Sequence, residues 1–169
     1  MLNFDASTAE VLVFTFKDGL LSPMAHDLKI RVHRFTVEVE GDAISATFEA
    51  DSLKVESVRK DGADAHSLMP DAAFTEIEKN IKGDVLNAWR HPRIRFKSTA
   101  LTETTVEGTL TLCSVSKPIT GRRADDATHH IATFEIDQRD FGIRPYTAML
   151  GTLKVKPLVT VTVRIPRVA

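Results

Sequence analysis

The sequence predicts an all-β fold, an eight-stranded antiparallel barrel carrying one helical insert at about residues 74–89. Three observations predict it. Apolar and polar residues alternate with a period of two along most of the chain, the pattern of strands that bury one face. Several of the gaps between these runs are short enough for hairpins. A single stretch breaks the rhythm and takes up helical spacing. Closing about eight strands on themselves removes the edges that would otherwise pair with other chains; a two-sheet sandwich is the competing architecture.

Taken in order, Leu12, Phe14 and Phe16 alternate with Val13, Thr15 and Lys17. Leu28, Ile30 and Val32 alternate with Lys29, Arg31 and His33. Phe35, Val37 and Val39 lead to Gly41-Asp42, where the chain can turn, and Ile44, Ala46, Phe48 and Ala50 bring it back. Ile94 with Phe96, then Val106, Leu110 and Leu112, then a short strand near 118–123 follow. Ala132, Phe134 and Ile136 form the next. In the last run Leu153, Val155, Pro157, Val159, Val161, Val163 and Ile165 fall on one face. Pro157 has no N–H for the ladder, so it either sits at an edge or bulge of one long strand or divides it in two.

The helical stretch has Phe74, Ile77, Ile81, Val85 and Trp89 on one stripe with Leu86 alongside. Thr75 is a candidate cap with Glu78 as its capping-box partner. Gly83 weakens the middle by about 1 kcal/mol relative to alanine, and Pro92 ends the segment. Such a helix would plug or flank the barrel. Its polar face mixes Glu76, Glu78, Lys79, Lys82 and Asp84, without the basic bias of a membrane-surface helix. Nothing resembling a linker or a repeat divides residues 1–169, which read as one domain.

Charge and composition narrow the function. Lys and Arg number 22 against 23 for Asp and Glu, a formal charge of −1, which gives no electrostatic reason to expect nucleic acid or an anionic membrane. No apolar run reaches the ~18–20 residues that span a bilayer. The opening MLNFDASTAE lacks the basic start and apolar stretch of a secretory signal, so the expected location is the cytoplasm. The lone Cys113 allows no internal disulfide and no metal-ligand spacing; it is expected to be a half-buried residue near the turn at 114–117.

No pattern in the chain calls for catalysis. None of the six histidines pairs at His-x-x-x-His or His-x-His spacing, and His129-His130, if in a strand, would point to opposite faces. There is no Gly-x-Ser-x-Gly elbow and no phosphate-binding glycine loop. No catalytic residue, metal or cofactor is expected. Eight strands make a barrel whose interior is either filled by side chains or holds one small ligand, and the residues alone leave both open. Two polar features stand out as possible head-group contacts at a mouth: His26, in the loop at 23–27, and Arg139-Asp140 ahead of Phe141-Gly142-Ile143-Arg144, where Gly142 suggests a sharp turn.

Three segments then occur in order: HPRIRFKSTAL, EGTLTLCSVSKPIT and FEIDQRDFGI. Pro92, Ile94, Phe96 and Ser98, then Leu110-Thr111-Leu112 with Ser116-Lys117-Pro118, then Arg139 to Ile143 closely resemble the motifs of the YceI-like family of bacterial lipid-binding proteins. Ala25-His26-Asp27-Leu28 is similar to one branch of that family. The resemblance implies an extended lipocalin-like barrel with an apolar bore for a polyisoprenoid, a quinone or another long amphiphile. It also implies that members are often periplasmic.

The expectation is therefore non-catalytic binding, transport or storage of an isoprenoid, quinone or fatty-acid-like molecule, with no nucleic acid, no stable membrane insertion and a possible homodimer. The candidate bore residues are Leu12, Phe14, Phe16, Ile30, Val32, Phe48, Phe96, Phe134 and Ile136, with Phe141 beside them. His26, Arg139 and Arg144 are candidates for the head-group end. A slip of one residue would exchange each strand's inward set for its neighbours. Two rivals stand beside this reading: a filled-core interaction module acting through a homodimer or protein partner, and an enzyme acting on an amphiphile through His26 or His91.

Overall fold

In a computed structural model that describes residues 1–19, 26–148 and 153–168, the alternating runs become strands of one long antiparallel sheet. Chain order is β1 (Leu2–Asp5), β2 (Glu10–Thr15), β3 (Asp27–Val32), β4 (Phe35–Glu40), β5 (Ala43–Glu49), β6 (Leu53–Lys60) and β7 (Ala63–Asp64). Helix α1 (Asp71–Asn80) intervenes, followed by β8 (Arg93–Leu101), β9 (Thr105–Leu112), β10 (Val115–Arg123) and β11 (His129–Asp137). The short β12 (Thr147–Ala148) and β13 (Leu153–Lys154) form a separate two-stranded sheet, and β14 (Leu158–Pro166) rejoins the main sheet. The order across that sheet is β1-β4-β5-β8-β9-β10-β11-β14-β2-β3-β6-β7.

Fourteen strands among the described residues replace the eight expected: β1, β6, β7 and β12 and the division of the C-terminal run at Pro157 add to the count, and β6 follows a kink. β3 and β4 are two halves of one hairpin arm, and β5 and β6 are two halves of the other. β4 pairs with β5 from Phe35↔Phe48 to Glu40↔Ala43, and β3 pairs with β6 from Val32↔Leu53 to Asp27↔Arg59. Because β5 also pairs with β8 while β3 pairs with β2, this bent hairpin brings the two ends of the sheet round toward each other. The corner is held by Ser52, 1% exposed. Its Oγ accepts from the Arg34 N–H at 3.0 Å and donates to the Glu49 carbonyl at 2.8 Å. Opposite the corner the seam is weak: β10 and β11 share three residue pairs, Gly121↔Phe134 to Arg123↔Ala132. The result is an antiparallel, lipocalin-like all-β fold, curled and partly split.

Pro157 divides the C-terminal run: β13 ends before it and β14 starts after it, and its carbonyl accepts from the Gln138 N–H at 3.0 Å. Gly151 and Thr152 of that run lie outside the described residues. The helix starts earlier and stops earlier than its apolar stripe suggested. Pro70 occupies the N-cap position, α1 runs to Asn80, and a π-helical turn continues over Ile81–Val85. Thr75 is therefore inside the helix, and Glu78 spends its carboxylate on the Val55 N–H of β6 at 3.0 Å. Trp89, assigned to the buried stripe, is 93% exposed; the left-handed Asn87, φ 43°, turns the chain before it.

Candidate functional site

The inner face of the sheet and the helix enclose a cavity of about 520 Å³, within the ~300–1,000 Å³ of small-molecule sites. Pairing explains which residues face it. Val13 stands opposite Val161 on one side and Ile30 on the other, and cross-strand partners share a face. Val11, Val32, Val159 and Leu53, the cross-strand partner of Val32, continue this wall, and Phe48, Ile94, Leu110 and Leu112 form the one across from it. Ala73, Ile77, Ile81 and Val85, spaced four apart on the helical segment, supply a lid. The lid is pinned by the Glu78–Val55 bond and by Phe74, which meets the His66 ring edge-on at 4.7 Å between centroids.

Polar groups on the wall gather at one end. Tyr146 Oη accepts from Asn80 Nδ2 at 3.1 Å, and the Tyr146 carbonyl accepts from the Val155 N–H at 3.1 Å. Gln138 Nε2 donates to the Lys156 carbonyl at 3.2 Å. Thr15 ends β2 on the same side, where Lys17 bridges to Val155 and its N–H donates to Asp27 Oδ1 at 2.8 Å. His26 precedes Asp27 and lines the cavity, as does Glu76 of the lid. The rest of the loop assigned to His26, residues 23–25, lies outside the described residues.

Two inward-facing aromatic rings pack together away from the cavity lining. Phe96 and Phe134 meet edge to face, with centroids 5.7 Å apart and planes at 64°. Phe96 stands opposite Leu110 and Phe134 opposite Val161, so both point inward, yet neither borders the cavity. They lie flat against backbone because glycine stands beside each. A Cβ on Gly108 would come within 2.4 Å of Phe96 Cζ, and one on Gly121 within 2.6 Å of Phe134 Cε1. Around the pair, Phe4, Val37, Ala46 and Val106 are buried as solid core. The bore is thus open in one half and filled in the other.

Of the residues assigned from sequence, Ile30, Val32, Phe48, Ile136 and His26 border the cavity. Leu12 and Phe14 do not. Their partners are Arg31 and Thr162 for Leu12, Lys29 and Thr160 for Phe14, which places both on the outer face. There the Arg59 guanidinium lies 5.4 Å from the Phe14 ring centre. Phe16, past the end of β2, is half-buried and also off the cavity. The correction to the first strand is a flip of one residue: Val11, Val13 and Thr15 face in. That outer face carries an ionic ladder: Arg31 reaches Glu10 at 2.9 Å and Glu56 at 2.7 Å, and Lys29 reaches Glu56 at 3.1 Å. Burial pushes the Glu56 carboxyl up, but Arg31 and Lys29 outweigh it and hold it below the usual range.

The Arg139–Ile143 motif proves to be a turn. Asp137 caps it by accepting from the Arg139 N–H at 3.0 Å and also grips the Arg139 guanidinium at 2.7 Å. Arg139 is thereby held at the surface, away from the cavity, and Arg144 is exposed and likewise off it. Phe141, 2% exposed, anchors the turn in the core without reaching the cavity, while Ile143 does reach it. Gly142, at φ 72°, supplies the left-handed step between them. Cys113 sits in the two-residue turn joining β9 to β10 with φ 50°, half-buried, its thiol pushed up by burial. His91 Nδ1 lies 2.9 Å from Ser114 Oγ. No group of three or more potential metal ligands comes together among the described residues, and no helix among them is long and apolar enough to cross a membrane.

Comparison with known proteins adds to this geometry. The sequence pattern of the YceI-like domain matches residues 4–166. No curated protein matches the chain in sequence. Among solved structures, BcnA of Burkholderia cenocepacia superposes with a TM-score of 0.64 at 15% identity, over 95% of this chain and 96% of that one. A polyisoprenoid binding domain from Saccharophagus degradans, implicated in plant cell wall breakdown, gives 0.61 at 9% identity over 96% and 94%. The YceI protein of Campylobacter jejuni gives 0.58 at 14% identity over 91% and 92%. At these identities the likeness is one of fold.

Proposed function

The chain belongs to the YceI-like domain family, and we propose that it is a non-catalytic carrier or store that binds an isoprenoid, quinone or comparable long apolar molecule within its barrel. One observation carries the reading: a cavity of about 520 Å³ whose wall is aliphatic almost throughout, with polar side chains confined to one end. Each methylene moved from water into such a wall contributes roughly 0.8 kcal/mol, so a chain can be held without strong polar contacts. Tyr146, Asn80, Gln138 and His26 are the groups available to orient its head. This arrangement selects by shape and length and discriminates weakly between similar tails. The similarity to a polyisoprenoid binding domain supports the same ligand class.

Titration with a fluorescent farnesyl analogue tests the reading, using substitutions on both faces of β2. Val13→Trp fills the cavity and is expected to abolish saturable binding. Phe14→Ala, on the outer face, is expected to leave it within about twofold once folding is matched. Saturable binding that survives Val13→Trp would place the ligand elsewhere.

A further inference from the structure

We infer that the polar end of the cavity accepts an uncharged head group, an alcohol or an ester-like carbonyl, and rejects a carboxylate or a phosphate, with Glu76 making the distinction. The inference rests on the functional reading above and narrows its ligand by head group. The sign of the lining carries it. Among the described residues no lysine or arginine borders the cavity, and Glu76 is the one carboxylate that does. Residues 20–25 and 149–152, outside the described part, contain no Lys or Arg either.

Glu76 stands one turn before Asn80 on α1, a spacing that puts their Cβ atoms about 5–6 Å apart on one face. Asn80 donates to Tyr146 Oη at 3.1 Å, so the carboxylate lies beside the groups that would meet a head. No ion pair among the described residues includes Glu76. The cations of the neighbouring segments, Lys17, Lys79, Lys82, Arg144, Lys154 and Lys156, are all off the lining. Asp27, next to His26, adds a second carboxylate at this end, where its Oδ1 accepts from the Lys17 N–H. An anionic head entering here sheds water, meets a like charge and finds no cation on the wall to offset either. An uncharged head exchanges its water for hydrogen bonds from Asn80, Tyr146 and Gln138 at little net cost.

The test holds the chain constant and varies the head. Farnesol, methyl farnesoate, farnesoic acid and farnesyl phosphate compete against a fluorescent farnesyl analogue at about pH 7.5 and roughly 0.1 M salt. In the wild-type protein the alcohol and the ester are expected to bind about tenfold or more tighter than the acid and the phosphate. An apolar bore alone would also favour the ester, so the variants decide the role of Glu76. Glu76→Gln is expected to shrink the ester-to-acid ratio by about threefold or more, and Glu76→Lys to shrink it further. The ratio is the readout because a loosened lid weakens ester and acid alike. Farnesoate binding as tightly as its methyl ester in the wild type would overturn the inference. So would a ratio left unchanged by both variants, whose exposed position spares the fold. If no farnesyl compound competes, the functional reading itself falls and takes this inference with it.

Discussion

Asn80 Nδ2 donates to Tyr146 Oη at 3.1 Å, a bond between residues 66 apart in the chain. It fastens the end of the lid helix to the turn that borders the polar end of the cavity. Tyr146 in turn is tied to the strand region through its carbonyl and Val155, so the lid is linked to the barrel at the polar end of the cavity.

Tyr146→Phe removes that link and little else. A neutral hydrogen bond contributes about 0.5–1.5 kcal/mol net, so release of a bound chain is expected to quicken roughly threefold to tenfold, with global stability shifted by about 1 kcal/mol or less. Stopped-flow displacement against a urea melt separates the two. An equal effect on release and on unfolding would mean the bond supports the fold rather than the lid.

Ser52→Ala tests the corner. The Ser52 hydroxyl serves the Arg34 N–H and the Glu49 carbonyl while 1% exposed. Losing it removes two hydrogen bonds at a part-buried corner, which costs about 1–2 kcal/mol. The urea midpoint is expected to fall with an unchanged slope.

Thr162→Val should go the other way. Thr162 Oγ1 is buried with no partner among the described residues, between Leu12 and Thr133 on neighbouring strands. Replacing it with a methyl of similar shape removes an uncompensated polar group, a gain of about 1 kcal/mol, or roughly 2–4 °C in Tm for a chain of this size. A calorimetric scan reads it directly.

Asp125 predicts the acid limb of stability. Arg123 meets it at 2.8 Å, and His130 Nδ1 lies 2.7 Å from it. The Arg123 guanidinium, with His130, holds its carboxyl well below the usual carboxylate range. A carboxyl lowered by folding contributes stability that is fully present above its unfolded pKa, about 4, and is lost as pH falls toward the folded value. Asp125→Asn is expected to cost about 1 kcal/mol at pH 7 and to flatten the decline below about pH 4. A wild-type and variant pair that lose stability in parallel below pH 4 would contradict this.

Much of the barrel was legible because its strands alternate cleanly. Leu28, Ile30 and Val32, or Val159, Val161 and Val163, have polar neighbours that leave one face for the core. Val11-Leu12-Val13-Phe14 does not: both of its faces are apolar, and the bulkier set looked like the inner one. Its face was settled by pairing to Ile30 and Val161, contacts that local periodicity does not encode. The breaks near 33–34 and after Ala50 were legible, but β6 and the hinge between Ser52 and Arg34 were not, since Ser52 reads as an ordinary turn residue until Arg34 is in place. The lid stripe of Ile77, Ile81 and Val85 was visible, but Trp89 lay one turn past the point where the helix ends. Gln138 and Tyr146 carried no signal, because only the fold brings them to the mouth. Arg139 drew attention as a charged group beside a turn, and the turn itself consumes it through Asp137.

The central claim is that this barrel holds an apolar chain, and native mass spectrometry of the purified protein followed by organic extraction tests it most directly. The account predicts an adduct retained under gentle ionisation, lost on denaturation and recovered as an isoprenoid, quinone or similar chain, or else uptake of such a chain by the bare protein. A bare protein that takes up none of a panel of prenyl alcohols, quinones and fatty acids would contradict it.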